Sequence, residues 1–183
     1  QQNGAESGQP LDKPCQKPKE VCLAISDEEG ALENQPIGGR VLTKNETLEV
    51  LKKAEDAGLV HLTTNVQKGH WFICNCCGCC CAMLQAVRMG IPNVVNSHYY
   101  AQINHDLCTA CGSCTENRCQ VKAIKEGEDS YFILKERCIG CGLCLSACPV
   151  EAIQLIHKTE NEFVHPPIDE MAWFDERAKN RGV

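Results

Sequence analysis

The side chains with chemistry to offer in this chain are thiols. Sixteen of its 183 residues are cysteine, and six of those crowd into eight residues, CNCCGCCC, at positions 74–81. Cys138, Cys141, Cys144 and Cys148 are spaced C-x2-C-x2-C-x3-C, with Pro149 next. Cys108, Cys111, Cys114 and Cys119 repeat the run with one residue more before the fourth cysteine, and Gln120 stands where the second run has proline. Three cysteines at steps of three wrap a loop around one inorganic cube and present three thiolates to three of its irons. The fourth iron needs a thiolate from another direction. Zinc sites instead favour two separated C-x2-C pairs. Disulfides need an oxidising compartment, of which the sequence gives no sign. Thiolate-held [4Fe–4S] clusters are therefore the chemistry expected of residues 108–148.

The same step of three recurs in the crowded run, at Cys74, Cys77 and Cys80. This spacing points to a third [4Fe–4S] cluster on that frame. Its fourth ligand is left open among Cys76, Cys79, Cys81, Cys22 and Cys15. The competing reading is a disulfide or a reactive-thiol pair among these extra cysteines.

The elements that must position these thiols follow from patterning. Thr43 and Glu46 have capping-box spacing, Leu48, Leu51, Ala54 and Ala57 recur every three residues, and Gly58 follows. A helix is expected from about 45 to 57. LVHLTT alternates like a strand, with HWFI as its hairpin partner, and AMLQAVRMG reads as a short helix. INHDLCTACGSCTENRCQVKAI and ILKERCIGCGLCLSACPVEAI are two copies of one unit, each a strand, a cysteine loop and a short helical turn. AIK and YFIL, joined by the polar EGEDS, look like pairing strands. After a Pro–Pro stop, Met171, Phe174 and Ala178 suggest a terminal helix with an apolar face. Four segments result: residues 1–40, mostly irregular, with the first dozen flexible; 41–99, a helix–hairpin module with the third cluster; 100–157, the duplicated unit; and 158–183, an extension with a helix.

Composition limits the alternatives. A net charge of −6 argues against a general nucleic-acid binder, which needs a basic face. No apolar run approaches the roughly 18 residues of a membrane-crossing helix. Aromatic residues make up 5% of the chain, so part of its stability is expected to come from metal. PIGGR lacks the strand–GxGxxG–helix context of a nucleotide site. His70, His98, Tyr99 and Tyr100 are expected in ordinary packing or surface roles. Trp173 and Phe174 suit intramolecular packing and partner anchoring equally.

At the duplicated runs the sequence resembles the bacterial dicluster ferredoxins, over residues 101–157. The resemblance implies an α+β, pseudo-twofold ferredoxin-like domain holding two [4Fe–4S] clusters, here extended by an N-terminal cysteine-rich cluster-binding module and a C-terminal helix. In that family the fourth cysteine of each run serves the other cluster. Cys108, Cys111, Cys114 and Cys148 would hold one cluster, and Cys138, Cys141, Cys144 and Cys119 the other. Gln120 and the longer first run depart from the family pattern, which suggests an altered loop and an altered potential for the second cluster. Taken whole, KPCQKPKEVCLAI, the helix, AGLVHLTTNV and FICNCCGCCC are similar to the small electron-transfer subunit of tungsten-dependent class II benzoyl-CoA reductases. That likeness implies three [4Fe–4S] clusters and a large tungsten or molybdenum catalytic partner.

No nucleophile–base pair and no flavin or nicotinamide fingerprint stands out. The expected role is a single-electron relay, a small subunit of a larger anaerobic oxidoreductase with an external electron donor or acceptor. Cytoplasmic location is the expectation from reduced thiols and the absence of a leader pattern. Two other readings remain: an iron–sulfur enzyme whose cluster at 74–81 binds substrate, and a thiol-based redox sensor.

Overall fold

The computed structural model describes residues 15–31 and 39–182. The expected flexibility of the first dozen residues, and most of PIGGR, lie outside these. Helix α1 spans Lys44–Asp56. Its start is a capping box: Thr43 Oγ1 accepts from the Glu46 N–H at 3.3 Å, and the Glu46 carboxylate accepts from the Thr43 N–H at 2.8 Å. Gly58, at φ +71°, turns the chain out of the helix. Of the four apolar positions read as one face, Ala54 alone is fully buried, and Leu48 is exposed. The core meets α1 near its C-terminal end, where Ala54 packs with Val21, Leu59 and Cys77.

Three short strands form: β2 (Val60–Leu62) and β3 (Phe72–Cys76), read from the alternation, and β1 (Leu23–Ala24), in the segment expected to be mostly irregular. They form one antiparallel sheet in the order β1-β3-β2. Leu23 lies opposite Ile73, and Val60 opposite Cys76. The strand therefore runs further than WFI and carries Cys74 and Cys76 within it. Residues 77–81 then make a tight turn, with the Cys81 N–H donating to Cys77 O at 3.1 Å, and α2 (Ala82–Arg88) begins.

The duplicated unit gives β4 (Tyr99–Ile103), β5 (Ile124–Glu126), β6 (Tyr131–Ile133) and β7 (Ile153–His157). β4 pairs with β7, and β5 with β6, both antiparallel. The first strand of each copy thus pairs with the last strand of the other. EGEDS is the hairpin between β5 and β6, as its polar composition suggests.

Beyond β7, Lys68 donates its N–H to Ile168 O at 2.9 Å, which ties the C-terminal segment to the loop of the β2–β3 hairpin. Helix α3 spans Glu170–Arg181, capped by Asp169 and closed by Gly182 in the left-handed conformation. It has no buried residue, and Met171 and Phe174 are exposed. Among the described residues, no helix is long and apolar enough to cross a membrane.

Candidate iron–sulfur centres

Each cysteine run of the duplicated unit leaves its strand as an irregular loop and ends in a turn before the next strand. The strand exchange brings the end of one copy to the beginning of the other. One cavity, about 310 Å³, is lined by Cys108, Cys111, Cys114 and Cys148, with Ile103 and Ile153 from the β4–β7 pair. A second, about 400 Å³, is lined by Cys119, Cys138, Cys141 and Cys144, with Ile139 and Leu143. Each cavity thus gathers three thiols from one run and the fourth from the other.

Backbone amides aim at the sulfurs in a matched way. The N–H of Ala123 donates to Cys119 Sγ at 3.1 Å and that of Ala152 to Cys148 Sγ at 3.2 Å, four residues on in each case. Ala101 donates to Cys138 Sγ at 3.4 Å. Such bonds favour the thiolate and help set a cluster's potential. Burial acts the other way. It pushes the Cys114 thiol up to about 11, and Cys144 higher still, with neighbouring cysteine charges adding to the effect. Four thiolates facing one another in an apolar cavity need a compensating cation. The irons of a cubane supply it, so the donor set and its surroundings fit the group.

Gly140 shows how closely the backbone is folded there. Its φ is +63°, and a Cβ at this position would collide with the Tyr99 carbonyl. The Gly140→Ala variant combines a left-handed conformation, costing roughly 1–2 kcal/mol for a side-chain-bearing residue, with displacement of β4. It is expected to lower the thermal midpoint and hasten bleaching of the cluster beside Cys138 and Cys141, followed by visible absorbance under air.

The N-terminal module gathers thiols differently from the step-of-three frame. Cys15, Cys77, Cys79 and Cys80 have sulfurs all within 4.8 Å of one another. Cys15 Sγ is 3.6 Å from both Cys77 and Cys79, and Cys79 is 3.6 Å from Cys80. They sit in the core built on Val21, Ala54 and Leu59. Cys74, expected with Cys77 and Cys80, lies outside this set. The reason is the length of β3. Cys74 is held in the strand, whereas Cys77 is the first residue past it and opens the turn that carries Cys79 and Cys80.

Residues 101–155 match the family model described as a 4Fe-4S dicluster domain. A ferredoxin of Alicyclobacillus acidocaldarius is 43% identical over 54 residues, which cover 28% of this chain and 68% of that protein. The chain belongs to the dicluster ferredoxin family. A protein named Ferredoxin 7Fe from Hydrogenibacillus schlegelii is 51% identical over 45 residues, 25% of this chain and 56% of the relative. The electron transport protein HydN of Escherichia coli K12 is 32% identical over 63 residues, 32% of this chain and 36% of HydN. The chain thus spans about half the length of the first of these two relatives and about a third of HydN. These likenesses make it an iron–sulfur protein of the ferredoxin kind.

Against the ferredoxin pattern, the departure at Gln120 has a structural purpose. This side chain is buried, at 7% exposure. Its Oε1 accepts from the Gly78 N–H at 2.9 Å, and its Nε2 donates to Gly58 O at 2.7 Å and Asn117 O at 3.1 Å. Arg88 closes the same joint by donating to Gly78 O at 2.8 Å and to Gln120 O. Gln120 therefore fastens the ferredoxin domain to the N-terminal module, one residue from Cys119 and one hydrogen bond from the 77–81 turn. Reading the sequence flagged the position but not this role. The available signal was a buried-type amide where a turn proline belongs.

The aromatic positions fall in packing and surface roles. His70 is exposed, with Nδ1 3.4 Å from Thr63 Oγ1. His98 stacks on Phe163 with ring centroids 4.1 Å apart, and Tyr99 meets His157 edge-on. Trp173 carries Arg177 over its ring and Phe174 at its edge.

Proposed function

We propose that this chain relays single electrons through [4Fe–4S] clusters and serves as the small subunit of a larger anaerobic oxidoreductase. A tungsten-dependent benzoyl-CoA reductase is the model for such a partner. The observation that carries the reading is the pair of four-cysteine cavities, each completed by the opposite run. Cys108, Cys111, Cys114 and Cys148 hold one cluster; Cys138, Cys141, Cys144 and Cys119 hold the other. The ferredoxin domain is then a pseudo-twofold unit in which each copy grips both clusters and so fixes their separation. When bound, each cluster supplies a one-electron couple without an open position for substrate. The chain's own residues hold it by four thiolates, aim amides at its sulfurs and exclude water with Ile103, Ile139, Leu143 and Ile153.

A third cluster on the N-terminal module belongs to the same proposal, with Cys15, Cys77, Cys79 and Cys80 replacing the frame on Cys74. The Gln120 joint supports its place in the relay, because it sets the 77–81 turn against the Cys119 end of the ferredoxin domain. The exposed apolar side chains of the C-terminal segment, Val164, Ile168, Met171 and Phe174, are offered as the docking surface for the large subunit.

A second reading of the Cys15 set has its own observation. Three of its separations, at 3.6 Å, are close to the roughly 3.8 Å edge of a tetrahedron around one zinc at 2.3 Å from each sulfur, and Cys77 and Cys79 lie closer, at 2.6 Å. Metal analysis of the chain isolated without oxygen separates the two. For the Cys15→Ala/Cys79→Ala variant, loss of about four irons is expected. Loss of one zinc with iron unchanged would replace the third cluster by a structural ion. Co-isolation of a large tungsten or molybdenum subunit is the expected result for the assembly, and a monomeric chain active as a free carrier would contradict it.

A further inference from the structure

A second set of four cysteines comes together on the N-terminal module, made of those that the Cys15 set leaves over. β1 and β3 pair with Leu23 opposite Ile73, so the next position outward sets Cys22 opposite Cys74. Cys74 and Cys76 are two residues apart in β3 and share one face of the sheet. Cys76, and Cys81 at the entrance of α2, both pack against the core of Val60, Leu84 and Val87. All four are free thiols.

We propose that Cys22, Cys74, Cys76 and Cys81 form a fourth site, holding an iron–sulfur cluster. Three features give the class of ligand. The donors are four thiols, as in the ferredoxin cavities. Among the described residues, the Cys15 set alone draws all its sulfurs within 4.8 Å, so this set is the more open one, as are the two ferredoxin sets. The composition also closes: sixteen cysteines divide into four sets of four with none over.

The site deepens the relay reading through its place. Cys76 and Cys81 pack against the core of Val60, Leu84 and Val87, and Cys119 and Cys138 pack against that same core. Cys76 is bonded in sequence to Cys77, and Cys80 to Cys81, so single Cα steps of about 3.8 Å separate this set from the Cys15 set at two points. The fourth site thus shares a core with the Cys119 and Cys138 end of the ferredoxin domain. CNCCGCCC is an interleaved pair of half-sites: 74, 76 and 81 serve one, and 77, 79 and 80 the other. Cys22 and Cys15 complete them from the N-terminal segment.

The test is iron, sulfide and zinc analysis of the full chain reconstituted anaerobically with ferrous iron and sulfide. About sixteen irons per chain are expected, since each cubane takes four. A parent count of about twelve irons that Cys74→Ala/Cys76→Ala leaves unchanged overturns the fourth site and leaves the three-cluster relay standing. In Cys74→Ala/Cys76→Ala, a quarter of the iron is expected to be lost, and in Cys15→Ala/Cys79→Ala a different quarter. Unchanged iron in the first variant, or one zinc lost from it, overturns the proposal.

Discussion

Cys148→Ala is expected to empty the cavity of the first cysteine run while sparing that of its own. Cys148 follows Cys138, Cys141 and Cys144 in sequence, yet it lines the cavity of Cys108, Cys111 and Cys114. Loss of about four irons follows if it is a ligand. The count alone does not say which cluster has gone, so the variant is combined with others. Added to Cys108→Ala, which has already lost that cluster, Cys148→Ala is expected to remove no further iron. Added to Cys138→Ala, it is expected to remove about four more irons. This non-additivity is what two ligands of one site give. The reverse pattern would place Cys148 with its own run. Cys119→Ala should show the mirror result.

Gln120→Leu is expected to release the N-terminal module from the ferredoxin domain. Leucine keeps most of the volume but strands the Gly78 N–H and the Gly58 carbonyl, both bonded to the buried amide. Leaving buried polar groups unpaired costs about 1–3 kcal/mol each, so a loss of roughly 2–6 kcal/mol at this joint is expected. The readout is hydrogen exchange with limited proteolysis. Amides of residues 74–88 should lose protection, while Ala101 and Ile103 in β4 keep theirs. Electron exchange between the N-terminal thiol sites and the ferredoxin domain should slow. Protection unchanged across 74–88 would show that the core of Val60, Leu84 and Val121 holds the joint without the amide.

Local signals in the sequence carried far. Thr43 and Glu46 marked the start of α1 because a capping box is satisfied within four residues. EGEDS between AIK and YFIL gave the β5–β6 hairpin, and the alternation in LVHLTT and HWFI gave β2 and β3. The pairing of β4 with β7 is consistent with the duplication, because each copy supplies the strand that the other needs.

What was not legible depended on tertiary contact. The step of three in CNCCGCCC suggested one frame, but that step governs loops, and β3 extends through Cys76. Along a strand every second residue shares a face, so Cys74 and Cys76 part company with Cys77. No local rule says where the strand stops. The joint at Gln120 was equally hidden, since Gly58 and Gly78 lie 62 and 42 residues away. Periodicity puts Leu48 and Met171 on apolar faces of their helices, and both are exposed among the described residues.

The central claim is that these cysteines hold iron–sulfur cubes through which electrons pass. Mössbauer spectroscopy on the chain isolated anaerobically from an iron-57 culture, before and after reduction by dithionite, tests it most directly. The expected result is a spectrum in which all the iron belongs to [4Fe–4S] clusters, with at least two clusters taking up one electron each. A chain without iron, or with zinc or cystines at Cys108, Cys111, Cys114 and Cys148, would contradict it.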